Sequence, residues 1–326
     1  MRITEYLTAL TGIHPRNEKT IQATQDWERA RITRRELEST FREDTGALVS
    51  LQVALNFDFV SDGQLTMQWQ DHFRPFTTSV AGIRKGPMIR WFNTNTFYFA
   101  PVVSGELETD GRAIAHTFND SMVRSGAITK VILPDPLTFV ELSEDLHYSS
   151  REKLLFAYCD NVLSPEVKHL SSMGIDYVQF SAPALVARFG GEPVRRVELE
   201  RVGEGLRSVL KGVNIRSGYH TFFGDASPYL PTLFDLIPTD DLGFDFTETD
   251  PQMLEASEKG LIAGIADSRS SFIEPPEELL RRVSGLAEKF KRITLAPSTD
   301  LQYVTRSVAD EKMRNLSAAK SRLIGE

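Results

Sequence analysis

Two side chains, His220 and Asp245, lie at the ends of short apolar runs, SGYHTFF and LGFDFT, and set an imidazole beside a carboxylate. Such a pair can share a proton or a metal ion and is a common base or ligand arrangement. Two ligands do not make a catalytic zinc site, which takes three protein ligands. The other histidines, His14, His72, His116, His147 and His169, show no His-x-x-x-His or equivalent spacing, and Cys159 is the one thiol. Asp267 closes a third run, LIAGIAD, where a carboxylate could orient a base or stabilise charge. The plainer reading of His220 is a core imidazole satisfied by hydrogen bonds.

A second set of residues suits binding. Arg16, Lys19, Arg84, Lys85 and Arg90 are cations that could hold a small anion by charge-assisted bonds, or else face solvent in ion pairs. Asp62-Gly63-Gln64 follows an apolar run, where glycine lets the chain turn and the polar neighbours face a ligand. Trp69, Trp91, Phe92, Phe97, Tyr98 and Phe99 could stack on a flat heterocycle or simply fill a core. There is no P-loop, Gly-x-Gly-x-x-Gly or Gly-x-Ser-x-Gly, which disfavours nucleotide cradling and a hydrolase elbow.

The elements that must position these groups alternate along the chain. Strands are predicted at Thr11–Arg16, Phe57–Gly63, Ile128–Pro134, Asp176–Ser181, Ile215–Phe222, Leu242–Thr247, Leu261–Asp267 and Ile293–Pro297. Runs such as VILP and LIAGIA are almost continuously apolar, as strands buried on both faces require. Helical patterns lie between them. Thr33 and Glu36 have capping-box spacing before Leu37, Phe41, Leu48, Leu51 and Leu55. Pro275-Pro276 opens a stripe of Leu279, Val283, Leu286 and Phe290, and further helices cover Lys153–Met173 and Val308–Leu323. Eight strand-helix units predict one (β/α)8 TIM barrel over residues 1–326. An aromatic, β-branched stretch at about 80–105 reads as a hairpin or arm inserted after the second strand. Reacting groups are then expected at the C-terminal strand ends, which also brings in Arg16 and Ser181.

With 326 residues, 41% hydrophobic and 25% charged, the composition is that of a folded domain, and the net charge of −8 opposes broad attachment to nucleic acid or anionic membrane. The start, MRITEYLTALTG, lacks a charged n-region with an apolar run, and no stretch approaches the ~20 apolar residues of a span. A cytoplasmic protein is expected.

Several segments, in order, resemble the cobalamin-independent methionine synthases: GIHPRNEKT at 12–20, RWFNTNTFYFAP at 90–101, LPDPLTFVEL at 133–142, FFGD at 222–225, GIADSR at 264–269 and LAPS at 295–298. That family transfers a methyl group from a methylfolate to homocysteine, using two tandem (β/α)8 barrels. The C-terminal barrel carries zinc and homocysteine, and the zinc-less N-terminal barrel, the closer match, helps hold the folate's glutamate tail.

Carried over by motif, the family's His-x-Cys, Glu and Cys zinc ligands fall on His220, Phe222, Asp245 and Thr299, so both thiolates are missing. The resemblance therefore argues against bound zinc, because the remaining set is weak for a thiolate-activating metal. The Asp-Glu-Pro-Ala-Leu that helps bind homocysteine becomes Ser181-Ala182-Pro183-Ala184-Leu185. The folate-tail contacts fall on Asn17, Glu18, Lys19 and Thr20, with Arg90 in place of a lysine.

Two functions follow, and a third stays open. In the first, a methyltetrahydrofolate-type donor is held by a zinc-less barrel that works with a zinc-containing methionine synthase barrel. In the second, a stand-alone, metal-independent enzyme acts on a small anionic substrate. His220 is then acid or base, Asp245 and Asp267 orient it, and Arg16, Arg90, Asp62 and Gln64 bind the substrate. The third is a binding protein with no chemistry.

Overall fold

The computed structural model describes residues 4–68, 71–114, 126–188 and 192–325. Its strands are β1 (Glu5–Thr8), β2 (Phe59–Val60), β3 (Ala81–Arg90), β4 (Phe97–Glu108), β5 (Ile128–Pro134), β6 (Glu144–Asp145), β7 (Tyr177–Ser181), β8 (Arg216–Thr221), β9 (Asp241–Asp245), β10 (Gly260–Ala266) and β11 (Arg292–Pro297). Its helices are α1 (Glu18–Glu28), α2 (Arg34–Ala54), α3 (Arg74–Ser79), α4 (Pro136–Leu142), α5 (Arg151–Tyr158), α6 (Ser164–Ser172), α7 (Arg196–Leu210), α8 (Leu230–Leu236), α9 (Pro276–Arg282) and α10 (Arg306–Ile324).

Eight of the strands form one sheet in the order β1-β11-β10-β9-β8-β7-β5-β2, with every pairing parallel. All seven residues of β10 are buried, the pattern of a strand covered on both faces. Side chains bridge the gap between β1 and β2: the Thr8 amide donates to Asp58 Oδ2 at 2.7 Å, and Lys320 Nζ from α10 reaches the same oxygen at 2.8 Å. The result is the (β/α)8 barrel expected from the alternation.

The first strand is displaced from its expected place. Residues 5–8 pair with Arg292–Leu295, whereas Thr11–Arg16 form a loop over the C-terminal end of the barrel. The backbone there is tied by side chains: Thr11 Oγ1 donates to Pro297 O (3.0 Å), and the Ile13 amide donates to Asp300 Oδ1 (2.9 Å). Gly12 is required at that crossing, because a Cβ would lie 1.7 Å from Asp300 Oδ1.

The helices follow their sequence signals. Thr33 and Glu36 close the capping box of α2. The stripe from Leu279 to Phe290 is buried, but it spans α9 and a separate 3-10 turn, Leu286–Glu288, after Gly285 turns the chain at φ +79°. A π-turn, Cys159–Leu163, joins α5 to α6 and buries the lone thiol against α7, where a Cβ on Gly205 would approach Cys159 Sγ to 2.6 Å.

The insertion is an antiparallel hairpin, β3 with β4, extended by a short parallel pairing of β4 with β6. Its tip folds inward: Trp91 and Phe92 are 5% and 4% exposed, and they pack on Phe73, Tyr98 and Phe223. This contact brings an aromatic wall from the insertion onto the barrel mouth. Trp69 and His116 lie outside the described residues.

Candidate functional site at the barrel mouth

Inside the barrel a column of polar side chains interrupts the apolar core. Lys130 on β5 donates from Nζ to Leu10 O at 2.7 Å, and burial pushes its ammonium down to about 7. Gln179 on β7 donates to Thr11 O at 2.7 Å, leaving its Oε1 buried without a partner. His220 on β8 is completely buried and lies against Phe222, with ring centroids 5.4 Å apart. Burial, reinforced by the positive Lys130, pushes His220 down to about 3, so the imidazole is neutral. Neither of its nitrogens has a hydrogen-bond partner.

Asp245 ends β9, the neighbour of β8, yet the expected His220–Asp245 bond is not formed. Asp245 Oδ1 instead accepts from Thr247 N (2.9 Å) and Thr247 Oγ1 (2.6 Å), a local turn that holds the carboxylate. Its Oδ2 is bare, as is Thr299 Oγ1 after β11. Burial raises the Asp245 carboxyl against the lowering effect of those two bonds. Each bare buried polar atom costs about 1–3 kcal/mol, so several together mark a place kept for something other than stability.

The fit to zinc is poor. Where the family's motif has a thiolate, Phe222 puts a ring into the mouth cavity, and Thr299 offers a neutral hydroxyl. Among the described residues no three His, Cys, Asp or Glu side chains converge. One imidazole and one carboxylate are too few hard or borderline donors to hold the metal against water.

Against Phe222 and Trp91 lies a small cavity of about 50 Å³, below the usual range of ligand sites. Ile132 and Pro134 form its floor; Phe73, Trp91 and Phe222 form its walls; Gln64, Thr138, Ser181, His72 and Asp300 supply its polar groups. Three residues around it carry the left-handed backbone that non-glycine residues rarely adopt, Gln64 (φ 48°), Phe92 (φ 44°) and Phe223 (φ 76°). Gln64 Nε2 donates to Ile132 O at 3.0 Å. Asp300 Oδ2 accepts from Gln302 Nε2 at 3.1 Å, which also lies 3.0 Å from His72 Nε2, and His72 stacks on Trp91 at 4.1 Å. Burial raises the Asp300 carboxyl to about 6, against the lowering effect of the Ile13 amide and the Gln302 side chain. His72 and Asp300 escaped sequence reasoning because neither stands at a strand end or in a spacing motif. Asp300 was legible only as a neighbour of Thr299.

The expected anion-binding residues lie elsewhere. Arg16 belongs to the loop after β1, donates from Nε to Leu65 O (2.7 Å) and lines an outer groove between α1 and the hairpin, beside Glu28 and Asp71. Its guanidinium is 5.0 Å from the Phe41 ring, and burial lowers it to about 10, still charged. Asn17 caps α1 by accepting from Thr20 N (2.8 Å), Glu18 is exposed in its first turn, and Thr20 is buried. Lys19 pairs with Glu43 at 2.5 Å in solvent. Arg90 braces the hairpin tip, donating to Thr94 O at 2.5 Å. Asp62 and Asp267 cap turns, accepting from Gln64 N and Arg269 N, each at 2.9 Å. Of the predicted binding residues, Gln64, Ser181 and the aromatic Trp91 meet at the cavity.

Residues 81–291, more than half of the chain, match the family model of the cobalamin-independent synthase N-terminal domain. The chain belongs to this synthase family. A curated methionine synthase of Sulfolobus acidocaldarius is 23% identical over 323 residues, covering 96% of this chain and 91% of the relative. One from Sulfurisphaera tokodaii is 23% identical over 317 residues, covering 95% and 90%. A B12-independent methionine synthase from Shewanella sp. W3-18-1, solved with selenomethionine, superposes with a TM-score of 0.71 at 18% identity over 98% of this chain and 97% of that one. A putative vitamin-B12 independent methionine synthase from Listeria monocytogenes gives 0.78 at 15% identity over the whole of both chains. These likenesses carry the synthase-family barrel. Among the described residues no helix is long and apolar enough to cross a membrane.

Proposed function

We propose that this synthase-family barrel serves methyl transfer to homocysteine in methionine biosynthesis without a zinc ion of its own. It holds a methyltetrahydrofolate-type donor and works beside a zinc-containing barrel that presents the thiolate. The observation that carries this reading is the state of the four motif positions. Phe222 and Thr299 stand where the thiolates would be, and His220 and Asp245 keep bare polar atoms with no bond to each other. The outer groove supports donor binding: Arg16 is a charged, buried guanidinium in its lining, suited to a glutamate-tail carboxylate.

A second reading is favoured by the relatives' length. This chain covers 91% of a protein called methionine synthase, so a chain of similar length carries that name without a tandem partner. The second reading is a stand-alone enzyme with His220 as its base. A neutral imidazole held well below its usual range is a weak proton acceptor, which ranks this reading second.

Methyl transfer from methyltetrahydrofolate to homocysteine separates them. The purified chain is assayed alone and with a zinc-containing synthase barrel from the same cells. Turnover that needs both proteins is expected. No stimulation at saturating concentration overturns the partner role, and turnover by the chain alone that is lost in His220→Ala establishes the second reading instead.

A further inference from the structure

Arg16 reaches the outer groove from the loop that crosses the barrel mouth, and the bonds that seat this part of the loop come from distant elements. Arg306, the first residue of α10, donates from Nη1 to Pro15 O (3.2 Å) and to Asp44 Oδ1 (2.8 Å), and from Nε to Asp310 Oδ1 (2.9 Å). Asp44, on α2, has no exposed side-chain surface, and its Oδ2 accepts from the Asn17 amide at 3.0 Å. His14 Nε2 lies 2.9 Å from the same Asp310 oxygen; an ionised carboxylate only accepts, so that nitrogen carries the hydrogen. His14, Pro15 and Asn17, on both sides of Arg16, are thus bonded into one ionic cluster.

The loop is already closed upstream of this cluster. Thr11 donates to Pro297 O, the Ile13 amide to Asp300 and the His14 amide to Gly63 O at 2.8 Å. Burying Asp44 and most of Arg306 carries a desolvation cost, and that cost falls at the turn that presents Arg16. Arg16 is held as closely as its neighbours: its amide donates to Gln68 Oε1 (3.1 Å), its Nε to Leu65 O (2.7 Å), and its guanidinium lies over Phe41. A cation fixed beforehand loses less freedom when a carboxylate arrives. The same cluster sets one wall of the groove, because Asn17 caps α1, and α1 supplies Ile21, Thr24, Gln25 and Glu28 to the lining.

We propose that Arg306 and Asp44 are positioning residues for the outer groove, seating the backbone on either side of Arg16 together with the start of α1, so that cation and wall meet a carboxylate-bearing ligand in one fixed arrangement. The inference rests on the donor reading of this groove and adds to it two residues, from α10 and α2, that do not line it.

Calorimetry of the whole chain compares methyltetrahydrofolate triglutamate with 5-methyltetrahydropteroate, which has no glutamate. Hydrogen exchange is followed at the Arg16 and Asn17 amides, which donate to Gln68 and Asp44. The parent is expected to prefer the glutamylated form about tenfold. Arg306→Met brings that ratio to about two and speeds exchange at both amides about tenfold, with the amides of β8 unchanged. Added to Arg16→Met it changes the ratio no further, whereas a residue that merely stabilised the barrel would give independent, additive losses. Arg306→Lys keeps the charge beside Asp44 but lacks the planar fork that reaches Pro15, Asp44 and Asp310 at once. It is expected to show both effects, about threefold each, and decides the matter if Arg306→Met does not fold. A ratio unchanged in the Arg306 variants, a further loss when Arg306→Met is added to Arg16→Met, or unchanged exchange at the two amides overturns the proposal. A parent without preference for the glutamates overturns the donor reading instead, and exchange at Arg16 and Asn17 then decides the positioning by itself.

Discussion

The mouth cavity and the outer groove are a few residues apart in sequence and opposite in character. The mouth is walled by aromatic rings around one buried carboxylate, and Phe222 in that wall packs on His220, one of three residues near the strand ends, with Asp245 and Thr299, that keep bare polar atoms. The groove between α1 and the hairpin is wider, with a volume of about 360 Å³, and mixes Arg16 with Glu28 and Asp71. One hairpin contributes to both: Trp91 turns into the mouth, and Met88, Asn95 and Phe97 line the groove. The difference teaches that the barrel offers two unlike surfaces, an aromatic mouth around one carboxylate and a groove that mixes both signs of charge, where the sequence suggested a single anion site.

The comparison breaks most readily at the hairpin tip. Trp91→Ala removes a buried ring packed on His72, Phe73, Phe92 and Tyr98 and is expected to cost about 3–5 kcal/mol, seen as a lower denaturation midpoint. Folate binding at the groove, held by α1, should be unchanged.

His220→Met acts in the opposite direction. It removes two bare buried nitrogens at similar volume, and a gain of about 1–3 kcal/mol at pH 7 is expected in chemical denaturation. The gain grows in acid. The unfolded imidazole takes a proton near 6.5, whereas the folded one waits until about 3, so the native protein loses stability as pH falls through that window and the variant does not. A variant no more stable than the parent at pH 5 would show that something already satisfies His220.

Arg16→Met sharpens the separation. Methyltetrahydrofolate with a polyglutamate tail should bind about tenfold more weakly, and a smaller loss would take Arg16 out of the binding surface. Lys19→Ala is the smallest case. Its pair with Glu43 is exposed on both sides, so a change within about 0.5 kcal/mol is expected, and a larger loss of folate affinity would return Lys19 to the binding surface.

Seven of the eight barrel strands were legible within a few residues, because buried parallel strands such as GLIAGIA leave an apolar run that turns and prolines bracket. The first was misplaced because Thr11–Arg16 is as buried as a strand, although its backbone is bonded by Asp300, Gln68, Gly63 and Gln302 instead of a ladder. The strand-end rule located His220, Asp245 and Ser181. It could not show that Thr247 would take the Asp245 carboxylate, or that Arg90 would brace its own hairpin tip. His72 and Asp300 meet only through tertiary packing, 228 positions apart in the chain (300 minus 72), which no local spacing encodes.

Zinc content reports most directly on the central claim, that the motif positions His220, Phe222, Asp245 and Thr299 no longer retain the family's zinc. The protein is loaded with one equivalent of zinc, dialysed against buffer and analysed for metal and protein. Well under one zinc per chain is predicted, with Phe222→Cys/Thr299→Cys retaining more than the parent. One tightly held zinc per unmodified chain would contradict the account.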